Sequence, residues 1–205
     1  MAEREGLVQR GKRLEYFTIG WNCIEAVASV ISGLLAGSVA LIGFGLDSLI
    51  EVASGTALLW RLHQDRNLAQ HERAERLTLR VVGLCFLLLA AYVAYESLDS
   101  LITGQAPKRS VPGIVIAAAS LVVMPLLSRA KRRVGTGMES AAMAADARQT
   151  DFCAYLSAIL LGGLLLNAVF NLWWADPVAG LIMVPIIGNE GISGWRGKVC
   201  TDCHG

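Results

Sequence analysis

Gly43-Phe44-Gly45-Leu46-Asp47-Ser48-Leu49-Ile50-Glu51-Val52-Ala53-Ser54-Gly55 lies inside a long apolar run and yet carries two carboxylates. On a helix, Asp47 and Glu51 are four residues apart and share one face, one turn from each other. A charge at membrane depth costs at least about 2.5 kcal/mol on insertion scales. Two like charges on one face cost more unless a cation or protons neutralise them. The pair therefore reads first as a cation site. The plainer reading is a pair of protonated or ion-paired acids that lock helices together.

The surrounding composition says what kind of chain holds this stretch. Of 205 residues, 54% are hydrophobic and 17% are charged, and the mean hydropathy is +0.51. Soluble domains carry roughly 25% charged residues. The charges are also clustered, and Val81–Ala94 and Tyr155–Val169 contain none. These features predict an all-α membrane protein with several spans. The net charge of +1 gives no reason to expect a nucleic-acid partner. No Ser/His/Asp or Cys/His set lies at one depth, so an enzyme is not expected. The charged start (Glu3, Arg4, Glu5, Arg10, Lys12, Arg13) precedes an apolar run long enough to stay in the membrane, so no cleaved signal peptide is expected.

Six transmembrane helices are predicted. The first runs from about Tyr16 to Leu35, and the turn Ala36-Gly37-Ser38 leads to the second, about Val39 to Leu62. A polar segment, His63 to Arg76, precedes the third, about Leu77 to Ile102. Gly104 and Pro107 punctuate the next loop. The fourth is about Val111 to Leu127, with Pro125 near its end, and the basic cluster Arg129, Lys131, Arg132, Arg133 follows. The fifth is about Glu139 to Leu172. The sixth, about Pro177 to Ile187, is blurred at its end by Gly188, Gly191 and Gly194. In domain terms, residues 1–14 read as a cytoplasmic tail, 15–190 as the transmembrane unit and 191–205 as a short Cys/His tail.

Lys and Arg fall on alternate loops, with only Lys108 and Arg109 on the other side. That asymmetry places both termini in the cytoplasm, and the inner membrane is the expected location. Trp173 and Trp174 fit an outer aromatic belt. Gly33, Gly37, Gly43, Gly162, Gly163 and Ala117–Ala119 permit close helix packing.

A second polar stretch opens the fifth span. Asp146, Thr150, Cys153 and Ser157 recur at i, i+4, i+7 and i+11, along one helical stripe. Asp151 points elsewhere, about 140° from Asp146; it either faces a cation or pairs with Arg148. Carboxylates from two helices form an oxygen-rich site suited to Zn2+ or Mn2+. Cys153 is the thiol nearest that stripe. Glu25 is a further acid in the first span, either lining the pathway or paired at the interface.

Two motifs lie outside the spans. Cys200-Thr201-Asp202-Cys203-His204 offers two thiolates and an imidazole for zinc or Cu(I); the bland alternative is a tail with incidental cysteines. His71 and Glu75, with His63 and Asp65 nearby, make a weaker second loop site or a solvated charged loop.

Ser38-Val39-Ala40-Leu41-Ile42 followed by Asp47-x-x-x-Glu51 resembles the second span of the cation diffusion facilitator family. His71-Glu72-Arg73-Ala74-Glu75 is similar to that family's His-Gly-Lys-Ala-Glu before the third span. Ala145-Asp146 through Ser157 sits where its fifth span carries His-x-x-x-Asp. The resemblance covers roughly Leu14 to Glu190. It implies a six-helix homodimer in the lipid bilayer that exports divalent cations from the cytoplasm, usually Zn2+, against inward protons. Mn2+, Fe2+, Co2+ and Cd2+ are the other cations in view. The resemblance carries Asp47 and Glu51 over as ligands. In the fifth span one register picks Asp151, with Ala147 at the His position; the other shifts by one and places Arg148 there. Asp146 fits neither register. The sequence departs from the family in having no intramembrane His, Glu51 in place of Asp, and no cytoplasmic C-terminal domain in the residues given, which fits a truncated subgroup. The rival from another class is a membrane metal-binding accessory or scaffold that carries no flux.

Overall fold

The computed structural model describes residues 2–63, 68–138 and 140–196. They form six helices: α1 (Ala2–Ala36), α2 (Val39–His63), α3 (Leu68–Thr103), α4 (Val111–Gly137), α5 (Ala141–Phe170) and α6 (Ala175–Trp195). Among the described residues there is no strand. All six helices are long and apolar enough to cross a membrane. The expected all-α, six-span class is therefore the observed one.

Local chemistry sets the helix ends. Gly37 has a φ of 68°, which a residue with a Cβ adopts only at a cost, and it stops α1. Ser38 then caps α2, its Oγ accepting from Leu41 N at 3.1 Å. Ser110 and Ser140 cap α4 and α5 in the same way, accepting from Gly113 N and Met143 N. Asn171, with a φ of 55°, ends α5.

Several boundaries differ from the sequence reading. α1 begins at Ala2 and α6 continues to Trp195, so helix runs through both expected tail boundaries. α3 begins at Leu68, so His71 and Glu75 lie on helix rather than in a loop; their side chains are outside the described set. α4 runs ten residues past Leu127, with Pro125 inside it and the basic cluster on its last turns. The three glycines at the expected end of the sixth span likewise fail to stop α6, which holds Pro185 inside it. Gly191 lies where a Cβ would meet Leu87 Cγ at 2.8 Å, so the glycine is a packing contact with α3. Gly33 and Gly45 do the same for α1 and α2, since a Cβ at Gly33 would lie 2.9 Å from Ile42 N.

Four helices close a ring: α1 packs on α2, α2 on α5, α5 on α4 and α4 on α1. α3 and α6 form a separate antiparallel pair, joined to the ring through α2 and α5. Phe44, Leu41, Met124, Leu156 and Leu160 fill the ring's apolar part and are nearly or fully buried. At the end opposite the N-terminus, Lys108 N donates to Ala36 O at 2.7 Å. There too Ser38 Oγ donates to Asp176 Oδ1 at 2.5 Å, and Asn167 Nδ2 to Pro107 O at 3.0 Å. These bonds tie the short loops together at that end.

Candidate cation site

The ring is apolar outside and polar within. On α1, Glu15, Thr18, Asn22, Glu25 and Ser29 repeat every three or four residues, and each is at most 1% exposed. On α5, Asp146, Thr150, Cys153 and Ser157 form the expected stripe, and all are buried. α2 contributes Asp47, Ser48 and Glu51; α4 contributes Ser120, Ser128 and Lys131. The polar face of each ring helix is turned onto its neighbours. This removes ionisable groups from lipid, where they are most costly.

The groups form a file along the ring. Nearest the N-terminal end, Lys131 Nζ donates to Asp146 Oδ2 at 2.5 Å and pairs with Glu15 Oε1 at 3.4 Å. Thr150 Oγ1 accepts from the same ammonium at 3.4 Å. Next, Asn22 Nδ2 donates to Glu51 Oε2 at 2.8 Å. The remaining polar atom of each, Asn22 Oδ1 and Glu51 Oε1, is buried without a hydrogen-bond partner. Ten residues beyond Glu15, about 15 Å along the helix, Glu25 accepts from Trp21 Nε1 at 2.8 Å, Ser48 Oγ at 2.7 Å and Ser120 Oγ. Cys153 Sγ lies 3.6 Å from Glu25 Oε1. Asp47 has no hydrogen bond or ion pair among the described residues; its charged neighbours are Glu51, Glu25 and Glu190.

Glu51 Oε1 thus keeps its lone pairs unpartnered, and no cationic side chain is bonded to Asp47 or Glu51 among the described residues. A buried acceptor with free lone pairs beside a second carboxylate is a cradle for a cation. Among the described residues, five carboxylates (Glu15, Glu25, Asp47, Glu51 and Asp146) share this interior with one buried ammonium, Lys131.

The other candidates are placed differently. Asp151 bonds to Arg132 rather than to Arg148, at a position where the side chains are 30% and 59% exposed. Asp146 is held by Lys131. Cys153 meets Glu25. Among the described residues, no three His, Cys, Asp or Glu side chains converge closely enough to hold one metal, so Asp47, Glu51, Asp146, Asp151 and Cys153 are not a single cluster. Cys200, Cys203 and His204 lie outside the described residues, as do the side chains of His71 and Glu75. Glu25 is held by neutral donors rather than by an ion pair at the interface. Glu15, Lys131 and Glu190 were not singled out by the sequence reading. Their signals are visible afterwards: Glu15 opens the α1 repeat, and Lys131 continues Ser120, Met124 and Ser128 on the buried face of α4. Glu190 is an acid on an apolar helix, and Arg148 is its charged neighbour.

A transmembrane ring lined by buried acids is the kind of interior that suits a cation. The profile of the cation efflux transmembrane domain matches residues 17–193, and the chain belongs to that family, the cation diffusion facilitators, which transport metal cations. It is 26% identical over 172 residues to an uncharacterised transporter of Methanocaldococcus jannaschii, covering 81% of this chain and 60% of that protein. It is 28% identical over 189 residues to magnetosome protein MamB of Paramagnetospirillum magneticum, covering 89% and 62%. Transmembrane protein 163 of Xenopus laevis is 22% identical over 214 residues, covering 94% and 74%. The chain thus spans about three fifths of the length of the first and second of these relatives.

Proposed function

We propose that this protein is a divalent metal cation efflux transporter of the inner membrane that exchanges the metal for protons, with Zn2+ as the leading substrate. Asp47 and Glu51 carry the ion. The observation that supports this most is Glu51 Oε1, buried and unpartnered one helical turn from an Asp47 that has no bonded cation. Asn22 Oδ1 adds a neutral oxygen beside them. Oxygen donors of this kind also suit Mn2+, Fe2+, Co2+ and Cd2+ to different degrees.

Charge balance supports proton exchange. Asp47 and Glu51 balance a bound dication, and its departure leaves two buried carboxylates whose charge must be met. Protons are the smallest carriers that can replace it at membrane depth. The basic loops support a cytoplasmic position for both termini, and a homodimer in the bilayer is the expected assembly. Cys200, Cys203 and His204 would then lie on the cytoplasmic side, as a loading or sensing element.

The test is metal flux into proteoliposomes loaded with a metal-sensitive dye, using Zn2+ and Mn2+, with and without a pH gradient. Flux that rises with the gradient is the expected result. Bound metal without flux would support the accessory-protein reading instead.

A further inference from the structure

Lys131 is the one buried cation of the ring among the described residues, and it is 0% exposed. An ammonium has three donors. Here they meet Asp146 at 2.5 Å, Thr150 at 3.4 Å and Glu15 at 3.4–3.5 Å. The ammonium also bridges three helices, since Glu15 is on α1, Lys131 on α4 and Asp146 on α5. Burying such a triad stabilises a protein little or not at all compared with apolar packing, so helix locking alone gives weak grounds for it. Its position is more telling. Lys131 and Asp146 are both charged neighbours of Glu51, and Glu15, which pairs with Lys131, lies two turns, about 10 Å, along α1 from Asn22, the donor to Glu51. A transported ion must bind well enough to enter and weakly enough to leave.

We propose that Lys131 is a built-in counter-cation of the transport site: a positioning residue that holds Asp146 and Glu15 out of the metal's coordination shell and keeps binding at Asp47 and Glu51 weak enough for release. This rests on the transport reading above. A fixed positive charge near the site repels an arriving dication. Removing it has two effects in one direction: the repulsion goes, and Asp146 is released as a further oxygen ligand. Removing Asp146 instead leaves the ammonium uncompensated and makes the site more positive. The two single changes therefore act on affinity with opposite signs, which a purely structural salt bridge does not produce.

The experiment measures Mn2+ flux into proteoliposomes, as KM and maximal rate, for the full chain and for Lys131→Gln, Asp146→Asn, the double variant and Asp47→Asn. The expected results are a KM on the order of tenfold lower with a reduced maximal rate for Lys131→Gln, and a raised KM for Asp146→Asn. The double variant, with the wild-type charge balance, returns to within about threefold of wild type. An unchanged KM in Lys131→Gln would overturn the inference. So would a double variant as impaired as Asp146→Asn, which would make Asp146 itself a ligand. If Lys131→Gln fails to fold, the double variant decides on the same criterion. Flux in wild type that is lost in Asp47→Asn upholds the transport reading whichever way the Lys131 variants fall. Absence of both flux and Mn2+ binding in wild type would overturn that reading and this inference together.

Discussion

Asn22 and Glu51 face each other across the α1–α2 contact, with Asn22 Nδ2 donating to Glu51 Oε2 at 2.8 Å and both Asn22 Oδ1 and Glu51 Oε1 left without a hydrogen bond. One bond thus orients two oxygens at once. Asn22 fixes the rotamer of Glu51 and sets its own carbonyl beside the carboxylate. This is how an outer partner tunes a ligand.

Asn22→Ala removes both the orienting donor and the neutral oxygen, and leaves the charge unchanged. The expected outcome is a KM for Zn2+ or Mn2+ raised about tenfold or more, with normal protein in the membrane. A KM equal to wild type would mean that Glu51 does not depend on this bond.

Glu25 is a different kind of buried acid. Trp21, Ser48 and Ser120 all donate to it, from three helices. Glu25→Ala strands these donors, at an expected cost of about 2–4 kcal/mol, and should lower the midpoint of thermal unfolding in detergent. Glu25→Gln keeps an acceptor for Trp21 and Ser120 and should unfold close to wild type. Equal midpoints for wild type and the Ala variant would count against this role.

Asp151 pairs with Arg132 at a half-exposed position. Exposed pairs contribute at most about 1 kcal/mol. Asp151→Asn should therefore leave Mn2+ or Zn2+ transport within about twofold of wild type. Loss of transport on this substitution would bring Asp151 back as a ligand and point to a conformation in which α5 has turned.

The sequence was most informative where the pattern was local. The six spans, the Asp47/Glu51 spacing and the α5 stripe of Asp146, Thr150, Cys153 and Ser157 all follow from helical period and hydropathy. What it hid was pairing across helices. Arg132 reaches Asp151 from nineteen residues away, and no single-sequence rule prefers it to Arg148, three residues off. Lys131 was masked by its company: in a run with Arg129, Arg132 and Arg133 it reads as surface charge. Only the continuation of α4 past Pro125 turns it inward. Glu15 was hidden in the same way by Lys12 and Arg13. Pro125 and the α6 glycines misled because their breaking tendency was overridden by neighbouring helices, which membrane helices allow.

The most direct test is the flux of Zn2+ and Mn2+ through Asp47→Asn, compared with wild type at matched amounts in proteoliposomes. The substitution keeps the side chain's size and removes its charge. Transport should be abolished while the protein stays folded. Wild-type flux in this variant would contradict Asp47 as the carrier of the ion, and with it the site proposed in the ring.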